Sequence, residues 1–132
     1  YDRSHTVSIK GKPDIHLTTD NPAVGDQSKL NPEDLLVAAI SSCHMLSYLY
    51  VCSLAGVVIT AYTDNATGVM IEHDSGGGSF KEVTLNPICE VADETMIEKA
   101  LALHHKAHEI CYIAHSVNFE VSCNPTVKTS QL

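Results

Sequence analysis

An α+β domain is the fold class that this sequence predicts, on three observations. A long, largely apolar helical run occupies residues 31–56, three strand-like runs separated by turn signals fill 57–91, and a second helix with an apolar stripe is followed by one more strand. The 132 residues, 44% hydrophobic and 18% charged, are globular in composition and fit one domain, 1–132, with no linker, repeat or low-complexity segment.

The elements follow in order. "HTVSIKGKPDIHLT" at 5–18 reads as two short strands around the turn-forming "GKP", and "TDNPAVGDQSKL" at 19–30 as a polar loop. In the first helix Asn31 suits the N-cap and Pro32 the first helical position. Glu33 and Asp34 occupy the turn where the macrodipole favours negative charge, and Gly56 stops the helix. Its apolar residues cover most of the circumference, which predicts burial on nearly all sides. So much apolar surface is hard to cover within one small domain, so an obligate homodimer is expected. Ser41, Ser42, Cys43, His44 and Ser47 interrupt the apolar run, which therefore reads as a core helix and not a membrane span.

The runs "VVITAYT" (57–63), "GVMIEH" (68–73) and "SFKEVTLNPICEV" (79–91), joined by "DNAT" and "DSGGG", predict a three-stranded meander with Pro87 at an edge or bulge. The second helix begins at the cap Asp93 and runs to Cys111. "SVNFEVSC" at 116–123 is the last strand, and the tail "TSQL" is polar.

A formal charge of −8 with scattered cations excludes a phosphate-binding surface, so no nucleic-acid partner is expected. Five cysteines without a CxxC lack the signatures of zinc ribbons and thioredoxin-type sites. The chain shows no signal peptide, and its odd cysteine count predicts a reducing, cytoplasmic setting.

Cys43, mid-helix, and Cys111, at the end of the second helix, suit a peroxidatic and resolving pair. One thiolate attacks an O–O bond and becomes a sulfenic acid, and the other thiol condenses with it. Such a thiolate needs a lowered pKa, which a guanidinium can supply, and Arg3 is the chain's single arginine. His104, His108 and Cys111, at i, i+4 and i+7, form a rival set of metal-ligand types, with His115 or His44 as a further ligand. The bland readings are core packing for Cys52, Cys89 and Cys123, a pocket wall or partner contact for His44, and core or interface roles for Tyr48 and Tyr50.

With these residues in place, the chain resembles the OsmC/Ohr family of organic hydroperoxide resistance proteins, from "YDRSHTV" to "NFEVSC". "NPEDLLVAAISSC" carries the strongest likeness, with Glu33 and Cys43 at motif positions and Cys111 at the second family cysteine. Many relatives have a proline after that cysteine, where this chain has Tyr112. The resemblance implies antiparallel sheets packed around two central helices in an intertwined homodimer. It also implies reduction of alkyl or lipid hydroperoxides by Cys43, with Arg3 on the thiolate, Glu33 orienting Arg3 and Cys111 resolving. A dithiol reductant, commonly a protein-bound lipoyl group, is implied, with no held cofactor and no membrane partner. Ten helical residues separate Glu33 from Cys43, about 15 Å of rise. Either the site is shared across a dimer axis, the reading we favour, or the helix starts later than Asn31. A non-catalytic binder of a small ligand or fatty acid, and a metal-binding protein, remain the alternatives.

Overall fold

A computed structural model describes residues 1–130, and the last two residues of the predicted polar tail lie outside them. The chain divides into two compact units, residues 1–38 and the residues from 39 onward.

In the first unit, strands β1 (His5–Val7) and β2 (Ile15–Leu17) pair antiparallel, with Gly11 at φ 79° in the turn between them. The loop beyond is held by buried Thr18. Its N–H donates to the Leu30 carbonyl at 2.9 Å and its hydroxyl accepts from the Asp26 N–H at 2.9 Å. Helix α1 (Pro32–Leu54) starts here. Asn31 caps it reciprocally: the Asp34 N–H donates to Asn31 Oδ1 at 2.8 Å, and the Asn31 N–H donates to Asp34 Oδ2 at 3.2 Å.

Helix α1 continues unbroken into the second unit and ends in a Schellman arrangement. The Val57 N–H reaches the Cys52 carbonyl at 2.9 Å and the Gly56 N–H that of Ser53 at 3.4 Å, with Gly56 at φ 75°. The positive φ is what the predicted glycine stop supplies.

The strands depart from the predicted meander. β3 (Ile59–Asp64) pairs with β6 (Pro87–Val91), and β4 (Thr67–Glu72) pairs with β5 (Gly78–Leu85). The single run at 79–91 is therefore two strands in two sheets, broken at Asn86. There the Asn86 N–H donates to Asp64 Oδ1 at 2.8 Å and its side chain donates to the Asn65 carbonyl at 3.0 Å. Pro87 marks neither an edge nor a bulge. It is the first residue of the central strand of its sheet, where a missing N–H costs least.

A turn of 3-10 helix (Glu94–Met96), capped by the Asp93 side chain, leads into helix α2 (Ile97–Ile110). Strand β7 (Glu120–Cys123) then joins β5 in parallel. Strand β8 (Thr126–Thr129) joins β6 in parallel, and this last strand was not expected. Each of the two larger sheets thus combines one antiparallel and one parallel pairing, in the orders β3-β6-β8 and β4-β5-β7.

The core of the second unit gathers Tyr48, Val51 and Cys52 of α1, Ala100 and Ala107 of α2, and Cys89 and Val91 of β6. Two predictions about α1 need correction. It is not buried on nearly all sides, because only Ile40, His44, Tyr48, Val51 and Cys52 are buried while Leu46, Tyr50 and Leu54 are 66%, 59% and 70% exposed. With a mean hydropathy of 1.7, it is also long and apolar enough by composition to cross a membrane, which Ser41, Ser42, Cys43, His44 and Ser47 were expected to prevent. What those polar residues do instead is pack: the Ser41 hydroxyl donates to Asp64 Oδ2 at 2.5 Å, and the rings of His44, His104 and Tyr48 stack at the centre of the core.

His44 therefore faces the core and not a pocket wall or a partner. Its Nε2 lies 3.0 Å from His104 Nδ1, and the Tyr48 hydroxyl donates to the Ala100 carbonyl at 2.8 Å. Burial pushes His44 down to about 4, with Asp64 opposing and His108 adding to the shift. Burial, then the neighbouring His44, push His104 down to about 3. Both imidazoles are neutral in the fold and titrate near their ordinary value once unfolded, so the unfolded chain binds more protons below about pH 6.5. The stabilisation from the pair is complete above that pH and is lost as pH falls toward 4. Urea unfolding in the presence of a chelator should show a loss on the order of 2 to 5 kcal/mol between pH 7 and pH 4.5, diminished in His104→Gln. A flat profile would contradict neutral, buried imidazoles.

Candidate functional site

Cys43 lies in the middle of α1, half-buried, and Cys111 is the buried residue that caps the C-terminus of α2. Cys111 has left helical geometry, at φ −73° and ψ 111°. The following loop folds back on itself: the His115 N–H donates to the Cys111 carbonyl at 3.3 Å, the Ser116 N–H to that of Ile113 at 3.0 Å, and the Ser116 hydroxyl to that of Tyr112 at 2.9 Å. Folded this way, the loop leaves the N–H groups of Tyr112, Ile113 and Ala114 free to serve the two sulfurs.

The two thiols act on one another and are driven apart in acidity. Burial acts to raise the Cys43 pKa. The Ile113 N–H, the Cys111 thiol, the Tyr112 N–H and the Ser47 hydroxyl outweigh it, leaving that thiol below its ordinary value. Burial raises Cys111, and the negative charge developing on Cys43 raises it further, against partial relief from the Ala114 and Ile113 N–H groups. One sulfur is prepared to be a thiolate and the other to be its proton donor. Both are free thiols.

Cys43 opens onto a pocket of about 600 Å³ lined by Leu46, Ser47, Tyr50, Ile110 and Tyr112. The walls are mostly apolar, with the Ser47 hydroxyl and the sulfur itself as polar points. Such a space admits an extended hydrocarbon chain whose reactive end meets the thiol.

The other predicted residues fall as follows. Arg3, in the first unit, is exposed; its N–H donates to the Val24 carbonyl at 2.9 Å and its guanidinium stands 4.8 Å from the centre of the Tyr1 ring. Glu33 is half-buried in the first turn of α1, whose start at Pro32 removes the possibility of a later helix start. His104, His108 and Cys111 do not form a cluster. His104 faces His44, His108 lies against the ring of His115 at 6.0 Å, and Cys111 turns to Cys43. The helical spacing failed because Cys111 sits past the helix end, where the i+7 relation no longer holds.

Two features escaped sequence reasoning. The N–H donors of residues 112–114 leave no sequence signal, since every residue but proline carries one, although the absence of proline at Tyr112 keeps that donor in place. Ser47 stands four residues after Cys43, a spacing that was visible.

The chain matches the family described as OsmC-like protein over residues 25–126. No curated protein matches it. Among solved structures, it is similar to an OsmC-like protein of unknown function from Vibrio cholerae O1 biovar eltor, with 31% identity, coverage of 95% of this chain and 85% of that one, and a TM-score of 0.85. An organic hydroperoxide resistance protein from Elizabethkingia anophelis matches at 20% identity over 97% of this chain and 95% of its own, TM-score 0.71. Another such protein, OhrB of Bacillus subtilis, matches at 20% identity over 95% and 97%, TM-score 0.62. At such identities the last two show the shared fold alone.

Proposed function

The chain belongs to the OsmC-like protein family, and from that premise we propose that it is a thiol-dependent peroxidase that reduces organic hydroperoxides. The observation that carries this reading is the pairing of a Cys43 thiol of lowered pKa with a Cys111 thiol of raised pKa, each acting on the other, beside an apolar pocket.

The Cys43 thiolate attacks the distal oxygen of ROOH. The O–O bond breaks, the alkoxide leaves and takes a proton to become ROH, and Cys43 becomes a sulfenic acid. Cys111 gives up its proton and attacks the Cys43 sulfur; the hydroxyl departs with that proton as water, and a disulfide remains. A dithiol, such as a protein-bound lipoyl group, restores both thiols and is itself oxidised to a disulfide. The sum is ROOH plus dithiol giving ROH, water and disulfide. The pocket favours an alkyl or lipid hydroperoxide over hydrogen peroxide, because each buried methylene contributes about 0.8 kcal/mol.

In this reading Arg3 stabilises the thiolate and polarises the peroxide, and Glu33 orients Arg3 through a charge-assisted pair. Ten helical residues are about 15 Å of rise, so Glu33 serves Cys43 of the partner subunit in a homodimer. The exposed stripe Leu46, Tyr50 and Leu54, spaced four residues apart on α1, supports association of two copies.

One equivalent of tert-butyl hydroperoxide should yield a 43–111 disulfide by peptide mass spectrometry. Cys43→Ser should abolish turnover, while Cys111→Ser should stop after one turnover as a sulfenic acid that dimedone traps. A disulfide elsewhere, or full turnover in Cys43→Ser, would refute the mechanism. Light scattering should give twice 14.3 kDa, reduced toward the monomer mass in Leu46→Asp; a monomeric wild type at micromolar concentration would refute the shared site.

A further inference from the structure

One cluster of ligand-type side chains remains outside the thiol pair. His44 of α1, His104 of α2 and Cys123 at the end of β7 converge in the core of the second unit, and their ligand atoms all lie within 4.8 Å of one another. Three elements far apart in sequence each contribute one residue. Among the described residues it is the one group of three or more such side chains that could hold a metal ion.

We propose that His44 Nε2, His104 Nδ1 and Cys123 Sγ form a binding site for a thiophilic divalent d-block cation, with zinc(II) as the best fit. The distances carry this. Tetrahedral zinc with Zn–N of about 2.0–2.1 Å and Zn–S of about 2.3 Å places two nitrogen ligands about 3.3 Å apart and each nitrogen about 3.6 Å from sulfur. The corresponding separations here are 3.0 Å between the nitrogens, and 3.8 and 3.9 Å from Cys123 Sγ to His44 and His104. A central ion needs shifts of only a few tenths of an ångström along each edge.

The chemistry of the donors agrees with the geometry. Two imidazoles and a thiol, with no carboxylate among them, select a borderline or soft cation and not magnesium or calcium. Both imidazoles are already neutral, the form that ligates. With Nδ1 of His104 given to the metal, its Nε2–H faces Cys89 Sγ at 3.6 Å, an outer partner that fixes ring orientation and tautomer. In the metal-free protein the nitrogens share one hydrogen bond. On binding, the donor ring shifts that one proton to its own outer nitrogen, the acceptor ring already carrying its proton there; the Cys123 S–H bond breaks, the sulfur bonds the metal, and the thiol proton leaves to solvent.

A route for the ion is present. A surface pocket of about 340 Å³ is lined by His104 and Cys123 together with His105, His108 and Pro125. It brings solvent to two of the three ligands, so a water can complete the coordination, and the exposed imidazole of His105 stands at its rim. The site uses neither Cys43 nor Cys111, and either reading survives the failure of the other.

Cobalt(II) titration of the reduced full chain tests the proposal. The expected result is one equivalent bound, with a thiolate-to-cobalt charge-transfer band in the near ultraviolet and intense visible bands of a tetrahedral ion, both displaced by zinc(II). Cys123→Ser should lose the charge-transfer band, and Cys111→Ser should keep it. X-ray absorption of the zinc-loaded wild type, which depends on no variant folding, should show two nitrogen and one sulfur neighbour plus a light atom. No charge-transfer band at stoichiometric cobalt, or a band that survives Cys123→Ser and vanishes in Cys111→Ser, would overturn the assignment.

Discussion

The interaction between the Cys43 and Cys111 thiols is the one on which the proposed chemistry of this chain depends. A half-buried and a buried thiol side by side would ordinarily both remain protonated, since burial penalises a charged sulfur. What separates them is a set of neutral donors. The loop after α2 presents the Ile113 and Tyr112 N–H groups to Cys43, and α1 adds the Ser47 hydroxyl from one turn on. No full positive charge is needed for this asymmetry. The guanidinium expected from the sequence would act in addition to these donors and not in place of them.

The fold locks the two helices that carry these thiols, α1 and α2, against each other through the core. Tyr48 reaches across to the Ala100 carbonyl, its ring lies 3.7 Å from that of His104, and small Ala100 and Ala107 allow close approach. Cys43 and His44, adjacent in sequence, therefore point to different environments, one to the apolar pocket and one to the imidazole stack. A helix residue and its successor diverge by about 100°, so a single turn of α1 serves both a thiol of lowered pKa and a buried nitrogen cluster. Asp64 ties the same helix to the strands through Ser41 and fixes the break at Asn86.

Much of this was legible in the sequence, for physical reasons that differ from element to element. Asn31 and Gly56 delimited α1 because capping chemistry is local, and the reciprocal Asn31–Asp34 bonds and the positive φ at Gly56 realise it. The motif from Glu33 to Cys43 and the position of Cys111 singled out two thiols that shift each other's acidity in the structure. Strand pairing was less accessible: nothing in the run 79–91 says that its halves join different sheets, and "TVKT" has no neighbour in sequence that would mark it as a strand. The parallel partners of β7 and β8 are set by tertiary contacts that no local pattern records. The same holds for His44, His104 and Cys123, brought together by the packing of helix, helix and strand.

The most direct test is the acidity of Cys43 itself. The rate of iodoacetamide alkylation at Cys43, followed by peptide mass spectrometry across pH in fully reduced wild-type protein, reports its thiolate fraction. The donors around that sulfur predict a half-maximal rate below the ordinary cysteine value of about 8.5, with Cys111 titrating above it. A Cys43 that reacts with a midpoint at or above about 8.5 would contradict the account at its root.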